Sequence, residues 1–368
     1  MSRMLLAPMR YVQGEGAIKE IGMHAARLGT KALLTGGKRS LGTCAELIQT
    51  SLKEKNIGCY QEHFNGECSD KEINRLVDLA RKEGADFIIA AGGGKVIDTG
   101  KAVAHLMKVP VIVVPTIAAT DAPCSALAVV YTDAGVFLRY FVLPHNPDCV
   151  LVDTRIVADA PVETLVSGMG DALATFWEAD TCNKSCKPNC LTGGTPPTLS
   201  AIALARLCYD TLLEYGLQAK LAVEKHCVTP AVEAIVEANT LLSGLGFESG
   251  GLAGAHAVHN GFTVLEASHH KLHGQKVAFG TLTQLVMEGR SSDEIYEVLD
   301  FCLSVGLPVC LDDLGIHNPT KEEIRKVAEA TTAPGETIHA TWFEVTADKV
   351  EAAIWTADAL AKNYRKEV

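Results

Sequence analysis

Absent from this 368-residue sequence is any run of lysine and arginine. Its 33 basic side chains are outnumbered by 44 acidic ones, for a formal net charge of −11. Such a chain is not built to neutralise a phosphate backbone, so nucleic acid is not an expected partner. Nor do the first residues lead one to expect a signal segment or a membrane anchor. Residues 1–13 are apolar in part but carry Arg3, Pro8 and Arg10, which suits neither a signal h-region nor a membrane span. A cytoplasmic location is the expectation. Internal repeats and a long linker are lacking as well, and the only compositionally odd stretch is the short segment 182–197. Twelve cysteines are scattered through a large chain with no secretory signal read in it, so a disulfide framework is not expected and most thiols are expected to be reduced. Cys182, Cys186 and Cys190 lack both the two-residue gap and the fourth ligand of a structural zinc site, and read as an irregular loop.

What is present is enough for two folded domains: 48% of the residues are hydrophobic and 21% charged. In the first half, short apolar β-type runs at residues 31–35, 59–64, 86–91 and 111–115 alternate with helical stretches at 45–52, 73–81 and 95–107. That order predicts a Rossmann-like parallel sheet covered on both faces. A hairpin is expected at 126–132 and 136–143 around the turn Asp133-Ala134-Gly135, and a last strand at 150–153. From about Pro161 the period becomes helical. Thr229-Pro230, for example, supplies an N-cap and a first-turn proline. The predicted fold is therefore α/β, with an N-terminal parallel-sheet domain over residues 1–160 and an all-helical domain over 161–368. The crevice between two such domains is where a cofactor and a substrate would meet.

Gly92-Gly93-Gly94 falls between an expected strand and an expected helix. Glycines there let backbone N–H groups approach an anion such as a pyrophosphate, and the helix N-terminus adds partial positive charge. The motif is neither G-x-G-x-x-G nor a Walker A loop, and a plain tight turn is an equal reading. Asp98 either accepts a hydrogen bond from a bound ligand or serves as a first-turn carboxylate. The loop 115–125, rich in small hydroxyl residues, follows another strand end, where ligands of open α/β sheets bind.

The second half holds Asp171 in a Gly/Ala-rich stretch, followed by five histidines between residues 256 and 273. Glycine in a helix costs about 1 kcal/mol relative to alanine, which close approach of helices around a buried ion would offset. One carboxylate and two imidazoles suit Zn²⁺ or Fe²⁺ with coordination positions left open for catalysis. The competing reading is a surface cluster. His24, His105, His226 and His317 read as ordinary hydrogen-bonded core histidines.

Gly92-Gly93-Gly94-Lys95-Val96-Ile97-Asp98, the loop 115–125 and residues 251–261 closely resemble the zinc-dependent, glycerol-oxidising branch of the iron-containing alcohol dehydrogenase group. Gly66-Glu67-Cys68-Ser69, Phe247-Glu248-Ser249-Gly250 and residues 273–280 carry the same resemblance, which thus spans most of the chain. It implies a dehydroquinate-synthase-like fold and NAD-linked oxidation of glycerol to dihydroxyacetone, or of a related vicinal diol. The same resemblance implies that Asp171, His256 and His273 hold a catalytic Zn²⁺, with His259 beside them and Asp121 near the substrate. It places the dinucleotide against Gly93, Gly94, Lys95, Asp98, Thr116, Ser125, Leu127 and Tyr131. A homo-oligomer, up to an octamer, is implied as well.

Departures from the family pattern are informative. Thr175 stands where iron-using relatives carry a fourth ligand, a histidine, which favours zinc. Gly37 replaces an acidic residue that would bond the adenosine ribose and repel a 2′-phosphate, so NADP is not excluded. Ala119 replaces a serine. Trp342 replaces part of an Asn-Met-Pro run and is expected to pack as core area rather than to narrow a substrate entrance. Two alternatives stand beside this reading. A cyclase-type relative would need extra cations for substrate phosphate and carboxylate, and only Lys271 and Lys276 lie near the histidines. A nucleotide-binding protein without catalysis would not need all three ligands.

Overall fold

The structure, a computed structural model, describes residues 2–187, 189 and 194–367. They form two compact units: Leu6–Val162 with Ala222–Gly244, and Met1–Leu5 with Glu163–Leu221 and Leu245–Val368.

The first unit is built on eight strands: β1 (Tyr11–Gly14), β2 (Lys31–Gly36), β3 (Gly58–His63), β4 (Phe87–Gly92), β5 (Val111–Pro115), β6 (Leu127–Tyr131), β7 (Phe137–Val142) and β8 (Cys149–Asp153). Six of them make one parallel sheet in the order β1-β8-β5-β4-β2-β3. Every residue of β4, β5 and β8 is buried, as expected of strands covered on both faces. The helices that follow the strands are α1 (Ile21–Ala25), α2 (Lys38–Glu54), α3 (Asp70–Glu83), α4 (Gly94–Met107) and α5 (Thr154–Ala158). On one face Leu34, Phe87, Ile89, Ile112 and Leu151 pack with Ile21, Ile48 and Leu52 in one apolar core. The remaining strands, β6 and β7, pair antiparallel around Gly135, whose φ of 78° meets the turn's demand for a residue free of Cβ strain.

Each expected strand is present. The additional β1 is an edge strand of four half-buried residues with no apolar run to announce it. From β2 the chain steps to β3 on one side, while β4 lies on the other, which makes the carboxyl ends of β2 and β4 the topological switch point where open α/β sheets bind ligands. Gly36-Gly37 and Gly92-Gly93-Gly94 sit at those two ends.

The remaining helices are α6 (Val162–Ser185), α7 (Leu199–Val223), α8 (Pro230–Glu237), α9 (Ser243–Gly250), α10 (Gly254–Phe262), α11 (His273–Met287), α12 (Ser292–Val305), α13 (Lys321–Thr331) and α14 (Ala347–Glu367). Among the described residues no strand follows β8, in keeping with a helical second half. No described helix is long and apolar enough to cross a membrane.

Segment 222–244 packs in the sheet unit although its periodicity is helical. Thr229 caps α8, Pro230 opens it, and a π-helical turn, Ala238–Leu242, follows. There Asn239 Nδ2 donates to the Ala118 carbonyl at 3.0 Å, and Ser243 Oγ donates to Asp121 Oδ2 at 2.7 Å. Both bonds brace the loop that follows β5.

Several single residues differ from expectation. His226 and His317 are surface groups, 65% and 69% exposed, rather than core histidines. His24 is buried but neither ring nitrogen has a hydrogen-bond partner, and His105 meets the Phe141 ring edge-on at 5.4 Å. Trp342 is 51% exposed and so does not contribute the core area expected of it. The described cysteines are all free; Cys182 is buried, Cys186 exposed, and Cys190 lies outside the described residues.

Candidate metal centre

Within the helical unit, α6 turns Asp171 and Glu178 to one face, since seven residues make nearly two full turns. His256 stands in the first turn of α10 and His273 is the first residue of α11. Glycines let these helices meet backbone to backbone. A Cβ on Gly274 would lie 1.8 Å from the Ser167 carbonyl oxygen, one on Gly170 2.3 Å from that of Gly274, and one on Gly280 2.3 Å from that of Ala255. No side chain larger than hydrogen fits at these crossings.

The outcome is a convergence of three donors. Asp171 Oδ1 is 3.0 Å from His273 Nε2 and 3.3 Å from His256 Nε2, and one donor from each residue lies within 4.8 Å of the others. Ligands bonded to Zn²⁺ at about 2.0–2.2 Å in tetrahedral geometry are separated by roughly 3.3 Å, and both Asp171–histidine separations are of that size. Thr175, one turn past Asp171, is fully buried, and a Cβ on Gly246 would come within 2.5 Å of its methyl group. The three-donor set stands without a ligand at that position.

Asp171 is 1% exposed. Burial alone would raise its pKa, but the His273 and His256 rings hold it far below the usual carboxylate range. For His256 burial acts to lower the pKa, yet Glu178 and Asp171 raise it well above the imidazole norm.

Glu178 was not singled out from the sequence. Its Oε2 is 2.6 Å from His256 Nδ1, and its Oε1 accepts from the backbone N–H groups of Ala253 and His256 at 2.8 and 3.0 Å. A carboxylate on Nδ1 keeps the proton there and leaves Nε2 free to ligate. The only advance signal was its seven-residue spacing from Asp171. His259 lies beside the trio with Nε2 3.1 Å from His273 Nδ1, and burial, followed by the nearby His273 and Lys276, pushes its pKa well down. His269 and His270 are exposed and take no part in the cluster.

In the sheet unit the glycine turn joins β4 to α4 with Gly93 as N-cap and no side-chain cap, so the first amides of α4 remain open to an anion. None of the three glycines has positive φ. Close approach is what requires the first two: a Cβ on Gly92 would come within 2.8 Å of Val96, and one on Gly93 within 3.0 Å of Ile117. Lys95 Nζ pairs with Glu67 at 2.6 Å above the Tyr131 ring. Thr116 donates its amide to the Gly92 carbonyl at 3.1 Å, tying the loop after β5 to the turn.

Asp98 is satisfied by groups of the protein itself. It is 6% exposed, its Oδ2 accepts from the Val129 amide at 3.0 Å, and its Oδ1 pairs with Lys101 Nζ at 2.9 Å. Lys101, fully buried, also donates to the carbonyls of Ala122 at 2.9 Å, of Ser125 at 3.3 Å and of Leu127. This buried pair anchors the segment that carries Ser125, Leu127 and Tyr131. Asp121 is buried as well, held by Ser243.

Residues 8–154 match the family described as iron-containing alcohol dehydrogenase. Over 364 residues, 99% of each chain, the sequence is 49% identical to a glycerol dehydrogenase of Citrobacter freundii. It is 46% identical to a glycolaldehyde reductase of Halobacterium salinarum, covering 99% of this chain and all of the other. The fold superposes on the crystal structure of a probable glycerol dehydrogenase from Sinorhizobium meliloti with a TM-score of 0.93 at 44% identity, covering 98% of this chain and 100% of that one.

Proposed function

The chain is an oxidoreductase of the iron-containing alcohol dehydrogenase family, and from that premise we propose that it is a zinc-dependent, NAD-linked glycerol dehydrogenase. The convergence of Asp171, His256 and His273 on one point carries this reading. In it those three side chains hold the ion. Bound Zn²⁺ supplies Lewis acidity, lowering the pKa of a hydroxyl presented to it by several units, each worth about 1.4 kcal/mol.

The protein's own groups do the rest. Glu178 holds the His256 imidazole in its ligating tautomer. The open amides at the start of α4, with Gly93 and Gly94, receive the pyrophosphate, while Thr116, Ser125, Leu127 and Tyr131 line the dinucleotide. Asp121, its position fixed by Ser243, accepts a hydrogen bond from a substrate hydroxyl. Bound NAD⁺ would supply the hydride acceptor needed to oxidise glycerol at its central carbon to dihydroxyacetone.

Dinucleotide choice rests on Gly37, the N-cap of α2, with Lys38 and Arg39 exposed beside it. A Cβ there would meet nothing nearer than Ser40 Oγ at 3.8 Å, so space does not exclude a carboxylate and the chain simply lacks one. The test is therefore a panel of glycerol, related diols and glycolaldehyde, each with NAD⁺ and NADP⁺, on protein of measured zinc content. Glycerol-dependent NADH formation is expected; zinc-loaded protein that turns over none of these compounds would sink the proposal.

Glu178→Gln gives an independent check. Its amide N–H₂ would face His256 Nδ1 or the two backbone donors, so one of these contacts is lost, and zinc affinity should fall about 10- to 100-fold. Competition with a chromogenic chelator measures it; parental affinity in the variant would remove Glu178 from the ligating arrangement.

A further inference from the structure

His256 is oriented by a carboxylate in direct contact, whereas the Nδ1 of His273 faces another imidazole, that of His259. Behind it stands a chain of three residues. Asn260 Nδ2 donates to Glu336 Oε2 at 3.0 Å, His259 Nδ1 is 3.1 Å from Asn260 Oδ1, and His273 Nδ1 is 3.1 Å from His259 Nε2. We infer that Glu336 and Asn260, neither of them a ligand, act through His259 to decide which nitrogen of His273 carries its proton, and so whether His273 can bind the metal. The inference rests on the metal reading above and deepens it.

The argument follows the direction of each bond. A carboxylate oxygen only accepts, so Glu336 fixes the Asn260 amide with its N–H₂ outward and its carbonyl toward His259. An amide carbonyl only accepts, so His259 must donate from Nδ1. A neutral imidazole carries a single N–H, which leaves His259 Nε2 as an acceptor. His273 must then donate from Nδ1, and its Nε2 lone pair is left pointing at Asp171, 3.0 Å away. One carboxylate, relayed through an amide and a ring, does for His273 what Glu178 does for His256. Thr337, next in sequence to Glu336, donates to the Ala253 carbonyl at 2.7 Å, which pins the source of this relay to the start of α10.

Reversing the polarity tests the relay. Glu336→Lys presents only donors, so the Asn260 carbonyl turns toward it and the N–H₂ turns toward His259. His259 then accepts at Nδ1 and donates from Nε2, and His273 is pushed to carry its proton on the ligating nitrogen. Zinc affinity, read by chelator competition on the full-length protein, should fall at least about tenfold. Adding Asn260→Asp should return it to within about threefold of the parent, because an aspartate accepts both from the introduced ammonium group and from His259.

Glu336→Gln keeps an acceptor facing the Asn260 N–H₂ and should stay within about threefold of the parent. Melting temperatures of the metal-free proteins should be alike. At saturating zinc, kcat of Glu336→Lys should come within about twofold of the parent, since the relay governs occupancy rather than the chemical step. A Glu336→Lys protein with parental zinc affinity, or a double variant as weak as Glu336→Lys, overturns the relay while leaving the metal reading intact. A parent that binds no zinc overturns the metal reading itself.

Discussion

His256→Ala is expected to leave a folded protein without zinc and with turnover reduced by about a thousandfold or more, the rate equivalent of roughly 4 kcal/mol of transition-state stabilisation. The imidazole contributes one of three donors, and Asp171 and His273 alone make a weak site. The fold should survive, because the buried Glu178 carboxylate keeps two of its three partners: the backbone N–H groups of Ala253 and of residue 256 remain in place when the ring is removed. Metal content, kcat and the melting temperature of the metal-free protein are the three measurements. A variant that turns over glycerol at the parental rate with no bound metal would dismiss the ligand assignment, and one that fails to fold would show that the ring is a packing element first.

The sheet was legible because β2, β4, β5 and β8 are short apolar runs bounded by turn residues, a pattern that burial on both faces imposes directly on composition. Strand β1 was not, since an edge strand of four half-buried residues leaves no such mark. The three donors were visible as residue types and through family resemblance, and the glycine-dense helices around them match crossings where a Cβ cannot fit. Glu178 escaped notice because a carboxylate inside a long helix looks like a solvated one until its neighbours are known. For Asp98 the difficulty ran the other way. Its place just after the glycine turn suggests a ligand contact, but it shares the buried face of α4 with Lys101, one turn on, and the two satisfy each other. The bracing of the loop after β5 by Asn239 and Ser243 depends on the path of segment 222–244 in space, which local periodicity does not encode.

That buried pair yields the second large expectation. Lys101→Met should destabilise the protein by about 3–5 kcal/mol, because it removes one member of a buried ion pair and strands the other. The Lys101 side chain is 1% exposed, and its ammonium group serves the Ala122, Ser125 and Leu127 carbonyls as well as Asp98. Burial already raises the Asp98 pKa against the lowering effect of Lys101. With the lysine gone, burial acts unopposed by that charge and Asp98 takes up a proton. The three carbonyls have no such remedy, so the segment carrying Ser125, Leu127 and Tyr131 loosens and dinucleotide affinity should fall about tenfold or more, the equivalent of about 1.4 kcal/mol. Asp98→Asn combined with Lys101→Met should recover part of the stability, since no charge is then stranded, but little of the affinity, since the carbonyls remain unserved. Urea unfolding and dinucleotide titration separate the two effects. Unfolding within about 1 kcal/mol of the parent, together with unchanged affinity, would show that the pair is incidental to the loop it touches.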